Sequence, residues 1–230
     1  MPGRWGSHLG QIDLVLTRDK GCHWRVSHHA VQVHKADCAK DAIKISRRLI
    51  RHHESARSWG AECVGQSDTA LHSYFAPIHS GAACDLMARA QIWGFLQHLE
   101  DPTLRRLPVV SAISPFRSGG QAGPSGYVDI PKGPLSRAAA TELFPFPNEL
   151  CAIVVDGRGL RDWLDHSASH LGHIVPGTGD TPLLGDRWMA HNFDVVFGLR
   201  YTIDLAVPPR PAGTDGPSRI AEITHLGRDV

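Results

Sequence analysis

The sequence has no apolar run approaching the roughly 20 residues that a membrane-spanning helix needs, and its start, "MPGRWGSHLGQ", has no apolar stretch of the signal-peptide kind. These two gaps give the expectation of no membrane partner and no signal peptide in this chain. Charge of one sign is also lacking. The formal net charge is +1 over 230 residues, so no strong field points to a nucleic acid polymer or an anionic membrane. The five cysteines (Cys22, Cys38, Cys63, Cys84 and Cys151) contain no CxxC pair. Such a scattered, odd set argues against a disulfide framework and against structural zinc. A GxSxG nucleophile elbow is missing too.

What is there reads as α+β. The hydrophobic share of 42% is enough for a core. "IDLVL" (Ile12–Leu16), the turn "RDKG" and "HWRVSHHAVQV" read as a hairpin. A hairpin alone is marginal in water, so these strands are expected to complete a sheet lying outside this chain. A helix is expected from about Ala39 to Arg57, N-capped by Asp37 and ended by Gly60. Its narrow apolar stripe and its basic surface suit a connector. A second helix, Ala82–His98, places Ala83, Leu86, Met87, Ala90, Trp93 and Leu96 on one apolar face. "LPVVSAI" (Leu107–Ile113) reads as a buried strand and Ser136–Leu143 as a short helix. "LCAIVVDG" (Leu150–Gly157) reads as a strand, followed by an amphipathic helix with Leu160, Trp163, Leu164 and Ser167 on one side. "NFDVVFGLRYTIDLAV" reads as a hairpin turned at Gly198.

Fifteen histidines invite a metal hypothesis. The pairs His28–His29 and His52–His53 point their side chains apart on either a helix or a strand. His166, His170 and His173 share a helical spacing, but "HSASH" lacks the glutamate of an HExxH site. A solvated polar face is the better account. Cys63 and Cys84, with histidines nearby in sequence, are a weak nucleophile signal. Two loops carry more chemistry. In "SPFRSGGQAG", Arg117 stands on Gly-rich backbone after a buried strand, where N–H groups and a guanidinium fork can meet phosphate. In "LFPFPNEL", Pro145 and Pro147 bias Phe144 and Phe146 to extended backbone and turn both rings the same way. A ring held in this manner can stack on a base, or it can simply cap the core.

Four stretches, "MPGRWGSHLGQIDLVL", "LPVVSAISPFRSGG", "LFPFPNELCAIVV…LRDWLDHSA" and "NFDVVFGLRYTIDL", occur together in this order. On them the chain resembles the 5′-nucleotidase family, in particular its bacterial periplasmic branch acting on 2′,3′-cyclic nucleotides and 3′-nucleotides. The resemblance covers most of residues 1–209. It implies three parts: residues 1–36 as the terminal β-hairpin of a calcineurin-like metallophosphoesterase sandwich, 37–60 as a linker helix, and 61–230 as a mixed α/β substrate-binding domain of the 5′-nucleotidase C-terminal type.

By the same resemblance, Phe146 is one of two aromatics that sandwich the base, with Asn148 just after it. Arg117 is the arginine that meets the substrate, on a loop shaped by Gly119 and Gly120. The family uses two divalent metal ions, whose ligand motifs lie upstream of Met1, so neither catalytic nor metal-ligating residues are expected in this chain. The partners implied are a nucleotide substrate and an N-terminal metallophosphoesterase domain, and the compartment implied is the periplasm. The expected function is a metal-dependent hydrolase of nucleoside 2′,3′-cyclic phosphates and 3′-nucleotides, of which this segment holds the nucleotide and is inactive alone. The rival expectations are a non-catalytic nucleotide-binding module and an inactive gene fragment.

Overall fold

The structure is a computed structural model that describes residues 6–36, 43–119, 126–184, 188–210, 214, 216–225 and 228–229. Two compact units divide the chain, residues 1–57 and 58–230.

In the first unit, β1 (His8–Arg18) pairs antiparallel with β2 (Trp24–Lys35), with a register shift between Val15 and Leu16. Asp19 closes the turn. Its Oδ1 accepts the backbone N–H groups of Gly21 and His23, both at 2.9 Å, which lets Cys22 take a positive φ. Leu9, Ile12, Leu14, Val15, Leu16, Trp24, Val26, Val31 and Val33 are all exposed. Helix α1 (Ile43–Ala61) buries none of its residues. The expected N-cap Asp37 lies outside the described residues. Gly60 does not end the helix, which runs on to Ala61. A Cβ at Gly60 would sit 3.5 Å from the Ala138 methyl, an ordinary packing distance. With no positive φ demanded there, the glycine is tolerated inside the helix.

The second unit is mixed α/β. Its strands are β3 (Cys63–Ser67), β4 (Leu71–His72), β5 (Ser111–Ile113), β6 (Asp129–Ile130), β7 (Gly133–Ser136), β8 (Val195–Phe197), β9 (Leu199–Ile203), β10 (Ile220–His225) and β11 (Arg228–Asp229). Pairings β3–β7, β4–β6 and β5–β8 are antiparallel ribbons, and β9, β10 and β11 form a three-stranded sheet with β10 central. The helices are α2 (Ala82–His98), α3 (Arg137–Leu143) and α4 (Gly157–Ala168). Two of them begin on side-chain caps that satisfy otherwise orphaned N–H groups. Ser136 accepts from Ala139 N at 3.1 Å, and Asp156 accepts from Gly159 N at 2.7 Å.

Three apolar clusters form the core. Leu71, Met87, Ala88, Ile113, Val128, Ile130 and Leu143 join α2 to the small ribbons. Leu160, Leu164, Val196, Ile220 and Ile223 hold α4 against β8 and β10. Leu171, Trp188, Ala190 and Phe193 form the third.

Three expectations need correction. On α2 the buried residues are Ala83, Cys84, Met87 and Ala88, whereas Leu86, Trp93 and Leu96 are exposed. The core takes up the small residues and leaves the large ones outside. Leu150–Gly157 forms no strand, because no described strand offers it a ladder, and Leu150, Ile153 and Val154 lie exposed. Finally, Gly198 does not turn a hairpin. With φ +92 it passes the chain from one sheet to another, so β8 pairs with β5 while β9 pairs with β10.

Candidate nucleotide site

Residues 114–119, which follow β5, are far more fixed than their Gly/Ser composition suggests. Pro115 is almost fully buried, and Ser118 is buried and donates its hydroxyl to Pro115 O at 3.0 Å. The Arg117 carbonyl accepts from the Ser73 hydroxyl, and Ser73 Oγ in turn accepts the Val128 N–H at 2.9 Å. Gly119 has φ +79, and its N–H donates to Gly126 O at 3.1 Å. A Cβ at Gly119 would stand 2.5 Å from the Tyr127 hydroxyl. Glycine is required there by both backbone angle and space. Gly120 lies outside the described residues.

On this platform the Arg117 side chain is 37% exposed, and its Nη1 meets Glu142 Oε1 at 2.8 Å. Glu142 comes from α3, the helix that runs into the "FPFPN" stretch. Phe144 ends that helix, donating its N–H to Ala140 O at 3.1 Å, and packs on the first core cluster. Phe146 is 52% exposed. Phe116 bridges the two loops. Its ring lies edge-on to Phe144 at 5.7 Å and to Phe146 at 5.4 Å between centroids. The structure thus gathers Arg117, Glu142, Phe116 and Phe146 into one neighbourhood. Phe116 thus touches both rings, one capping the core and the other half open to water. Asn148 follows, exposed, with its N–H donating to Phe146 O at 2.9 Å.

Sequence reasoning did not single out Phe116 or Glu142. Phe116 adjoins Arg117, and Glu142 falls on the last turn of a short helix. Neither position says which partner it will meet.

A second aromatic group flanks Ser73. His72 stacks on Tyr74 at 5.3 Å, and Tyr74 tilts against Tyr127 at 5.2 Å. The Tyr74 phenol is pushed up from its ordinary value, first by its hydrogen bond to Asp129. The histidines in and just after α4 form no ligand set. The His166 and His170 rings meet edge-on at 5.6 Å, and His173 Nε2 is 3.0 Å from Ala206 O. Among the described residues no group of three or more His, Cys, Asp or Glu could hold a metal ion. Cys84 is buried, and burial pushes its thiol up to about 11. That thiol is no nucleophile at neutral pH.

A concavity of about 590 Å³ opens elsewhere, lined by residues including Ile78, Phe193, Leu199, Tyr201 and Ile203. It includes neither Arg117 nor Phe146. Its size suits a small ligand, and its lining sets Arg200, His79 and the Phe193 and Tyr201 side chains among aliphatic residues.

Residues 65–229 match the family described as "5′-nucleotidase, C-terminal domain". The chain belongs to this family. Among curated relatives, the 5′-nucleotidase-type chain is 31% identical to the 2′,3′-cyclic-nucleotide 2′-phosphodiesterase/3′-nucleotidase of Salmonella typhimurium, aligning over 100% of this chain and 38% of that protein. It is 30% identical to the protein of that name from Yersinia enterocolitica, with the same coverage. The trifunctional nucleotide phosphoesterase YfkN of Bacillus subtilis is 28% identical over 100% of this chain and 16% of its own length. The chain therefore spans well under half of each of these relatives. Among solved structures, a 5′-nucleotidase candidate from Staphylococcus aureus in complex with α-ketoglutarate superposes with TM-score 0.59 at 19% identity, covering 100% of this chain and 39% of that one. The 5′-nucleotidase precursor of Thermus thermophilus gives 0.53 at 18% identity, covering 100% and 38%. These likenesses show the mixed α/β fold of the 5′-nucleotidase C-terminal domain.

Proposed function

We propose that this chain is the nucleotide-holding part of a metal-dependent phosphohydrolase acting on nucleoside 2′,3′-cyclic phosphates and 3′-nucleotides. The observation that carries the reading is the edge-on contact of Phe116 with Phe146. It brings the backbone of Arg117 and the open ring of Phe146 together from distant parts of the chain. In this reading the base stacks on Phe146, a contact worth about 1–3 kcal/mol. The phosphate takes the Arg117 fork, displacing Glu142. Both partners of that ion pair are about a third exposed, so the pair is worth no more than about 1 kcal/mol and yields readily to a phosphate.

These residues bind and orient, and none of them breaks a bond. The two divalent metals and their ligands belong to a metallophosphoesterase portion outside the described residues, and the chain alone binds nucleotide without hydrolysing it. The exposed apolar faces of β1 and β2 favour their completing that portion's sheet. A periplasmic location belongs to the same proposal and comes from the resemblance. Titration with adenosine 3′-phosphate, wild type against Phe146→Ala, tests the reading. A loss of affinity of about 5- to 150-fold is expected, and equal affinities would remove Phe146 from the site.

A further inference from the structure

We propose that Asp194 is the positioning residue of the Arg117 loop, holding the backbone that presents the guanidinium to an anionic ligand. The proposal rests on the nucleotide reading above. Asp194 stands just before β8 and joins three elements. One carboxylate oxygen accepts from the Ser114 hydroxyl. The other accepts the indole N–H of Trp163, on α4, at 2.8 Å. The backbone of Asp194 is locked to the same helix, because its N–H donates to Ser167 Oγ at 2.7 Å and its carbonyl accepts from that hydroxyl at 2.8 Å. Helix α4 is in turn seated by Leu160, Leu164 and Ala168, all buried. The carboxylate is thus fixed to a rigid element, with both oxygens engaged by neutral donors and no cationic ion-pair partner among the described residues.

Ser114 is where the loop begins. It is followed by the buried Pro115, then Phe116 and Arg117. The far end of the loop is held by Ser73 on the Arg117 carbonyl, and Ser118 ties it back to Pro115. Asp194 supplies the tether at the near end, and among the described residues Ser114 Oγ has no other partner. Since Phe116 and Arg117 leave the chain between these two anchors, slack at Ser114 loosens the guanidinium directly and reaches Phe146 only through its edge contact with Phe116. Asp194 therefore acts far more on phosphate recognition than on base stacking, a split that a purely structural residue would not produce.

The test uses the intact chain with Asp194→Asn, Ser114→Ala and the hydroxyl-retaining Ser114→Thr. Two quantities are measured: amide hydrogen exchange of the 114–119 segment without ligand, and affinity for adenosine 3′-phosphate and for adenosine. Asp194→Asn and Ser114→Ala are expected to speed exchange in that segment but not in α2. They should weaken adenosine 3′-phosphate about tenfold while leaving adenosine within about twofold. Ser114→Thr should behave as wild type in both measurements. Equal weakening of both ligands, or unchanged affinity for both, overturns the proposal. If wild type binds neither ligand, the nucleotide reading fails, and exchange then decides the tether alone: faster exchange in the two variants upholds it, unchanged exchange rejects it.

Discussion

Replacing Arg219 by methionine should cost this domain about a third of its stability. Arg219 is 1% exposed and sits immediately before β10. Its Nε donates to Val207 O at 2.7 Å. Its Nη1 donates to Ala168 O at 2.9 Å and Leu171 O at 3.0 Å, and its Nη2 to Gly172 O at 3.2 Å. Ala168 closes α4, where carbonyls lack helical donors and the dipole is negative, so a cation is well placed. Methionine keeps much of the apolar stem but removes four donated hydrogen bonds, although Ala168 O keeps the Leu171 N–H. At about 1 kcal/mol or more each, with water relieving some of the loss, the total is about 3–5 kcal/mol. Burial pushes the Arg219 pKa down, so the folded protein does spend free energy desolvating the guanidinium. The variant escapes that penalty, which is why the upper end of the range is a ceiling. Against a typical total of about 5–15 kcal/mol the effect is large. Urea unfolding should show the midpoint falling by about 1–2 M at an unchanged slope. A loss under about 1 kcal/mol would mean that the carbonyls find other donors and that Arg219 is not the clasp described.

Three other outcomes follow from the same geometry. Gly119→Ala should destabilise by about 1–3 kcal/mol, because φ +79 disfavours a Cβ and Tyr127 Oη would stand 2.5 Å from it. Thermal unfolding indistinguishable from wild type would refute this. Cys84, with its thiol pushed up to about 11, should resist iodoacetamide at pH 8 while the exposed Cys22, Cys63 and Cys151 are modified. Mass spectrometry of the folded protein decides it, and early labelling of Cys84 would contradict the packing of α2. Burial, then the neighbouring His166 and His191, push the His170 pKa down, against an opposing pull from Asp194. The unfolded chain takes the proton first, so this contribution to stability is full above about pH 6.5 and is lost as pH falls below it. His170→Gln should flatten that acid-side decline in urea midpoints, and parallel curves for the two proteins would rule the effect out.

Local signals told the truth where a residue's role is set by its neighbours in sequence. The bounds of α2, the short helix near Ser136–Leu143 and the β1–β2 pairing were legible because helical periodicity and strand alternation act over a few residues. The run at Leu150–Gly157 misled because β-branched composition gives a preference, while a strand needs a partner ladder. Gly198 misled because a positive φ marks a turn without saying which strand the chain joins next. In the candidate site, Arg117 and Phe146 were visible from their chemistry and their proline and glycine frames. Phe116, Glu142 and Asp194 were not, since each matters through a contact made across the fold. Arg219 was hidden for the same reason. A single arginine in a Pro/Gly-rich stretch reads as solvated until α4 ends beside it.

The central claim is that Phe116, Arg117 and Phe146 form one nucleotide site. The most direct measurement is a titration of the isotope-labelled chain with adenosine 3′-phosphate, followed by two-dimensional ¹H–¹⁵N spectra. The account predicts that the largest shifts fall together on Phe116, Arg117, Ser118, Glu142 and Phe146. Shifts concentrated instead on Ile78 and Leu199–Leu205, around the other concavity, or no shifts at saturating nucleotide, would contradict it.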